Sequence, residues 1–203
     1  MIHFVWIDNP MPDWAKRNIA EFERYGDVTV HDESVLLNKY KDVYALLQGT
    51  AQRSDLLRYS ALQRYGGWYF DTDFFPLRPV ADIIDEYDIT EDTFFVARQQ
   101  WNNPNLTISN GCLYLHRDKA QSVFEDIIDA YIFAIDPTRN RAVYGPMMFN
   151  KLHRSYPDLL TFGEADMFFP YNKKDAQEKY PSLLSGKCEL DKKPFMVHLW
   201  KGF

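Results

Sequence analysis

Two carboxylates stand two residues apart in Asp71-Thr72-Asp73, directly after the apolar run Trp68-Tyr69-Phe70. A strand that delivers paired carboxylates at its C-terminal end puts them where open α/β sheets bind ligands. Like charges this close repel and raise each other's pKa unless a cation joins them. A hard divalent ion, Mn2+ or Mg2+, relieves the repulsion through oxygen ligands and fills its other positions with water and substrate phosphates. Taken alone, the pattern fits a solvated acidic turn equally well. It also occurs in phosphatases with an Asp-x-Asp nucleophile, but Phe75 stands where their following Thr or Val is expected.

The segment just before this pair carries the other candidate groups. Ala51, Asp55, Arg58, Leu62 and Tyr65 recur at helical spacing and share one stripe. Thr50 is positioned to cap this helix, and Gly66-Gly67 ends it. If the stripe faces a sheet, Asp55 and Arg58 are partly buried and must pair or serve a ligand. If it faces water, they form an i,i+3 ion pair worth little.

The elements that position these groups follow from patterning. Ile2–Ile7, Val28–His31, Trp68–Phe70, Thr93–Ala97, Gly111–Leu115 and Phe195–Leu199 read as strands, with Phe74–Leu77 extended before Pro76 and Pro79 interrupt it. Helices are expected from Pro12 to about Tyr25, over Val35–Leu47 in one or two pieces, over Ala51–Tyr65, over Lys119–Phe133, and from Gly145-Pro146 to about Leu152. Gln99–Asn110 reads as a polar loop near the site, and the last 50 residues, with four prolines, as irregular. Strands alternating with helices predict an α/β fold with a largely parallel sheet.

Composition removes several classes. The 203 residues include 15 Phe, 13 Tyr and 5 Trp, too aromatic for a disordered chain, and the 26% charged fraction is too high for a membrane bundle. A net charge of -6 argues against a duplex binder, so no nucleic-acid partner is expected. No apolar run reaches the ~20 residues of a spanning helix, and the first residues lack a signal-peptide pattern. A cytoplasmic location is the expectation. Cys112 and Cys188 lack metal-site spacing and read as free thiols.

The block Ala51–Asp73 resembles the DXD-containing sugar transferases, which include the initiation-type α-1,6-mannosyltransferases, the capsular-polysaccharide glycosyltransferases and the catalytic domains of clostridial glucosylating toxins. Ile2–Ile7 looks like that family's opening strand. Asn110-Gly111, Gly145-Pro146 and His198-Leu199-Trp200 resemble its later segments. The resemblance implies a GT-A (Rossmann-like) nucleotide-diphospho-sugar transferase fold over a single domain, 1–203. It also implies transfer from a nucleotide-sugar donor with retention of configuration. Carried over, Val5 and Trp6 contact the base, Trp6 by stacking. Asp55, Arg58 and Asn110 hold the donor sugar, and Arg58 also meets the diphosphate. Asp71 binds the ribose and sugar side, or the metal through water. Asp73 ligates Mn2+ or Mg2+ directly, and His198 is a further metal ligand. Trp200 donates its indole N–H to a phosphate. The expected catalytic set is Asp55, Arg58, Asp71 and Asp73.

The expected activity is metal-dependent hexosyl transfer from a UDP-sugar, in preference to GDP-mannose, to a hydroxyl of a surface glycan or polysaccharide. The alternatives are a nucleotide-sugar hydrolase on the same scaffold and a non-catalytic sugar- or nucleotide-binding module. Of the remaining candidates, His3 reads as a core histidine, while His31, His116 and His153 have no evident partners. Trp101 and Tyr144 fit either an acceptor platform or ordinary packing. Lys173-Lys174 and Lys192-Lys193 fit solvated faces or the border of a phosphate-rich acceptor.

Overall fold

The computed structural model describes residues 1–7, 10–99, 107–136, 143–187 and 194–201. The chain opens with β1 (Ile2–Val5), buried throughout, then α1 (Asp13–Phe22), entered through Pro12, and β2 (Val28–His31). Two short 3-10 turns lead to α2 (Lys41–Leu46) and the long α3 (Thr50–Tyr65). Next come β3 (Gly67–Phe70), β4 (Phe74–Pro76), α4 (Val80–Glu86), β5 (Phe94–Arg98) and β6 (Ile108–Leu115). A continuous helical stretch follows: α5 (Arg117–Val123), a π-helical turn (Phe124–Ile128) and α6 (Asp129–Ala134). The chain ends through α7 (Pro146–Ser155), β7 (Thr161–Gly163), α8 (Ala165–Phe168), α9 (Lys173–Leu184) and β8 (Met196–His198).

Six strands form one sheet in the order β2-β1-β3-β6-β5-β7, while β4 and β8 pair separately. Within the large sheet β6 is antiparallel to both neighbours, and the other pairings are parallel. The fold is therefore α/β with a mostly parallel central sheet flanked by helices. Its reversed strand was not foreseen. No helix separates β5 from β6 among the described residues, and an antiparallel partner needs no crossover.

Strand periodicity splits the core into two layers. In β3, Tyr69 points into a layer with Leu56, Leu57, Leu113 and Phe124. Its neighbours Trp68 and Phe70 point into the opposite layer with Phe4, Phe22 and Phe95. Each fully buried Phe or Leu contributes about 1.5–3 kcal/mol.

Several expectations need correction. Gly49, not Thr50, takes the N-cap position of α3, and Thr50 is its first helical residue. Helix α3 is buried on more than one stripe because both the sheet and α5 pack against it, whereas Tyr65, assigned to the stripe, is 42% exposed. Asn110 lies in β6 rather than in a loop. Its polar neighbour Ser109 also breaks the hydrophobic pattern, and Asn110 itself lines a cavity. The C-terminal stretch is not irregular. It holds β7, α8 and α9, and Pro181 is accommodated inside α9, where the lost bond would have gone to the carbonyl of the exposed Gln177. Pro79 starts α4 instead of merely interrupting a strand. Among the described residues, no helix is long and apolar enough to cross a membrane.

Candidate functional site

The Asp71-Thr72-Asp73 turn joins β3 to β4. The Asp71 N–H donates to the Gly111 carbonyl at 2.8 Å, and the Phe74 N–H closes the turn onto the Asp71 carbonyl at 3.0 Å. Pairing of β4 with β8 places Phe74 opposite His198. The last strand thus lies beside the turn: the Leu199 N–H donates to the Asp73 carbonyl at 2.8 Å, and His198 Nε2 sits 3.1 Å from Asp73 Oδ1. The Lys201 N–H donates to the other oxygen, Oδ2, at 3.0 Å. This needs a sharp reversal, which Trp200 supplies at φ 53, a left-handed conformation that costs a bulky residue about 1–3 kcal/mol.

Ligand atoms of Asp71, Asp73 and His198 all lie within 4.8 Å of one another. Two carboxylates and an imidazole are a donor set that a small divalent ion fits. Asp73 is buried, while the Asp71 side chain is 32% exposed and faces the cavity. His198 is packed among Phe74, Phe169 and Trp200, and its buried Nδ1 has no hydrogen-bond partner among the described residues.

A second, buried layer lies behind the turn. Arg58 Nη2 is 3.1 Å from both Asp55 Oδ1 and Asp71 Oδ1, and Nη1 donates to the Asn110 carbonyl at 2.6 Å. The guanidinium also covers the Tyr69 ring at 4.6 Å, and the Tyr69 hydroxyl donates to Asp71 Oδ1 at 3.0 Å. The Asn110 amide donates to Asp55 Oδ1 at 2.7 Å. Burial pushes the Asp55 carboxyl up to about 6, against the pull of Arg58 and the Asn110 amide. Arg58 is held above its ordinary value, because Asp71, Tyr69 and Asp55 together outweigh its burial. Gly111 is required by close approach: a Cβ there would lie 2.4 Å from Asp71 Oδ2.

The cavity above these groups has a volume of about 390 Å³, a size suited to small-molecule sites. Val5, Trp6, Asp55, Arg58, Asp71, Asp73, Asn110, His198 and Trp200 all line it, so the structure gathers every residue to which the resemblance gave a site role. Trp6 meets the edge of Trp14 at a centroid distance of 6.2 Å. The Trp200 indole N–H donates at 3.4 Å to the Tyr171 carbonyl.

Sequence reasoning missed Trp14 and Lys201, which also line the cavity, and gave no role to Asn18 and Tyr180 behind it. Buried Asn18 donates to the Thr72 carbonyl at 3.0 Å and accepts from the Tyr180 hydroxyl at 2.9 Å, which ties α1 and α9 to the turn. A lone Asn within an amphipathic helix gave the only available signal.

Other candidates fall elsewhere. Lys173 lines the cavity, while Lys174 pairs with Glu178 at 3.9 Å. Tyr144 is core, not platform. His3 is buried, as expected of a core histidine, and bonds to the Gly66 carbonyl at 2.8 Å and to His31 at 3.0 Å, so His31 does have a partner. His116 caps α5, and His153 packs on Phe162. Cys112 is a buried free thiol. Trp101, Cys188, Lys192 and Lys193 lie outside the described residues.

Residues 8–90 match the family described as a glycosyltransferase sugar-binding region containing a DXD motif. The match includes Asp55, Arg58, Asp71 and Asp73. Among solved structures, the chain is similar to a glycosyltransferase involved in glycosylation of the major capsid of PBCV-1, at 13% identity over 99% of this chain and 94% of that one, with a TM-score of 0.55. It is similar to the glycosyltransferase GlyE of Streptococcus pneumoniae TIGR4 at 12% identity over 99% of this chain and 56% of that one, with a TM-score of 0.54. It is also similar to the PaToxG glycosyltransferase, at 14% identity over 77% and 68% of the two chains, with a TM-score of 0.52. No curated protein sequence matches significantly. The structural likenesses carry the GT-A fold, and the family match carries the DXD sugar-binding region, so the resemblance drawn from the sequence holds. Glycosyl transfer as the general activity is supported by the family match over residues 8–90.

Proposed function

We propose that this chain is a metal-dependent, retaining hexosyltransferase working as one domain over residues 1–203. It takes a sugar from a nucleoside-diphosphate sugar, UDP in preference to GDP-mannose, and passes it to a hydroxyl of a surface glycan or polysaccharide in the cytoplasm. The observation that carries this reading is the convergence of Asp71, Asp73 and His198 within 4.8 Å in the wall of one cavity that Trp6 and Trp200 also line.

Asp73 and His198 would hold Mn2+ or Mg2+, with Asp71 joining directly or through water. Bound there, the ion would supply Lewis-acid neutralisation of the charge that builds on the departing diphosphate. Val5 and Trp6 take the base. Asp55 and Asn110 border the sugar position. Arg58 serves this reading mainly through Asp71: with two carboxylates and a carbonyl already on its guanidinium, it holds Asp71 in place while lining the sugar side. Trp200 turns its indole N–H to a phosphate by giving up the long contact with Tyr171. In the reaction, the bond from the anomeric carbon to the β-phosphate oxygen breaks and the acceptor oxygen bonds to that carbon on the same face. The acceptor proton leaves with the diphosphate, so no separate protein base is required.

Asp73→Asn is expected to abolish metal-dependent turnover of the donor while circular dichroism and melting remain close to wild type. Unchanged turnover with unchanged metal dependence would remove the assignment. The hydrolase alternative predicts sugar release into water at the same rate with and without added glycan. The binding-module alternative predicts donor binding without turnover.

A further inference from the structure

We infer that Asn18 is a positioning residue of the carboxylate turn, and that it sets the turn's preference for a small divalent ion over Ca2+. This deepens the functional reading above and rests on it. The two carboxylates of the turn are anchored from different sides. Asp71 is held from β6 and α3, through the Gly111 carbonyl and Arg58. Asp73 is held from the C-terminal segment, through the N–H groups of Leu199 and Lys201. The peptide that joins Thr72 to Asp73 lies between those anchors. Its carbonyl is held from α1, where the buried Asn18 amide donates to it at 3.0 Å. Rotation of that peptide would swing Asp73 relative to Asp71, so the spacing of the two ligands depends on the Asn18 bond.

The partners fix which way the amide faces. The Thr72 carbonyl can only accept, so Nδ2 must face it and Oδ1 must face Tyr180, whose hydroxyl donates at 2.9 Å. Asn18 is fully buried, so water does not replace either bond when the side chain is lost. Tyr180 is in turn held by packing. Its ring meets Phe75 edge-on at a centroid distance of 6.1 Å. With Trp14 it forms an aromatic shelf, on which the Lys201 ammonium lies 3.7 Å from the Tyr180 ring centre and 5.9 Å from that of Trp14. The Asn18 bonds thus join α1, α9 and the turn into one unit. The stiffness of that unit decides between ions. Mg2+ demands near-octahedral ligands at about 2.0–2.1 Å, whereas Ca2+ accepts irregular ligands at about 2.3–2.6 Å. Ligand atoms of Asp71, Asp73 and His198 already lie within 4.8 Å of one another, so a turn free to open costs the small ion most.

The test follows free Mn2+ by its paramagnetic resonance while Mg2+ or Ca2+ displaces it from the wild-type chain, Asn18→Leu and Tyr180→Phe. Mg2+ affinity should fall about tenfold in Asn18→Leu, the usual scale for a group that orients metal ligands. Ca2+ affinity should fall far less, so the ratio of Mg2+ to Ca2+ affinity drops. Tyr180→Phe keeps the amide but frees its orientation, and should move the ratio the same way by a smaller step. The ratio separates positioning from a merely structural role: partial unfolding lowers the apparent affinity for both ions by the same factor and leaves their ratio unchanged. Tyr180→Phe serves alone if Asn18→Leu does not fold. A ratio equal to wild type in Asn18→Leu, or in Tyr180→Phe where that variant stands alone, overturns the role of Asn18 and leaves the functional reading standing, whether or not stability has fallen. A wild-type chain that binds no Mn2+ overturns the metal-dependent reading, and this inference with it.

Discussion

Asp71 is the residue on which the two layers of the site meet. Its side chain faces the cavity, yet its position is set from behind by Arg58, Tyr69 and the bare Cα of Gly111. Gly111→Ala would force a methyl group to within 2.4 Å of Asp71 Oδ2. That carboxylate must move, so Mn2+ affinity should fall at least tenfold in a direct titration while the chain stays folded. Arg58→Met should act differently. It leaves Asp55 and Asp71 without their shared cation, and breaking a buried pair in this way costs about 3–5 kcal/mol. Denaturant unfolding should show the loss, and Asp55→Asn added to Arg58→Met should restore part of it. A loss of turnover with unchanged stability would place Arg58 on the substrate instead.

At the scale of elements, the strand β1 carries a pH dependence of its own. Buried His3 is pushed down to about 4, chiefly by burial and also by His31, although its bond to the Gly66 carbonyl pulls the other way. Above the ordinary value of 6.5 the imidazole is neutral in both the folded and unfolded chains. As pH falls below that value the unfolded chain takes up a proton that the folded chain refuses, so stability is lost down to about pH 4, by about 3 kcal/mol at most. Denaturation midpoints between pH 7 and pH 4.5 should therefore fall more steeply for the wild-type chain than for His3→Gln. Elements were legible where one periodicity ruled. Helix α3 and strand β3 could be read because apolar spacing, the glycine pair and the paired carboxylates agreed. Strand β6 was cut short in the reading because Ser109 and Asn110 are polar although buried, and Asn110 serves the cavity and not the core. Helix α9 was missed because prolines read as breakers, and a sequence does not say that a lost helix bond falls on an exposed turn.

For the molecule as a whole, the site was legible to the extent that its residues lay close in sequence or matched a known pattern. The aromatic shelf of Trp14 and Tyr180, the Asn18 tie and Lys201 were not, because each gains its meaning only from contacts between distant segments. The same geometry gives a whole-molecule prediction. Ligands that bind only the folded chain raise its melting temperature by mass action. Mn2+ with UDP-sugars should stabilise the wild-type chain more than either alone, and Asp73→Asn should lose that joint effect. Equal shifts in both proteins would separate donor binding from the carboxylate turn.

The hydrogen bonds from Leu199 and Lys201 to Asp73 also fix an order of events. During synthesis the carboxylate turn leaves the ribosome well before the strand that answers it. Until β8 arrives, β4 has no partner and Asp73 lacks its imidazole. Competence should therefore appear late and all at once. A chain nicked in any loop between Asp73 and His198 would hold its two half-sites together only for as long as the fragments stay associated, so dilution of a nicked sample, harmless to the intact chain, should switch it off.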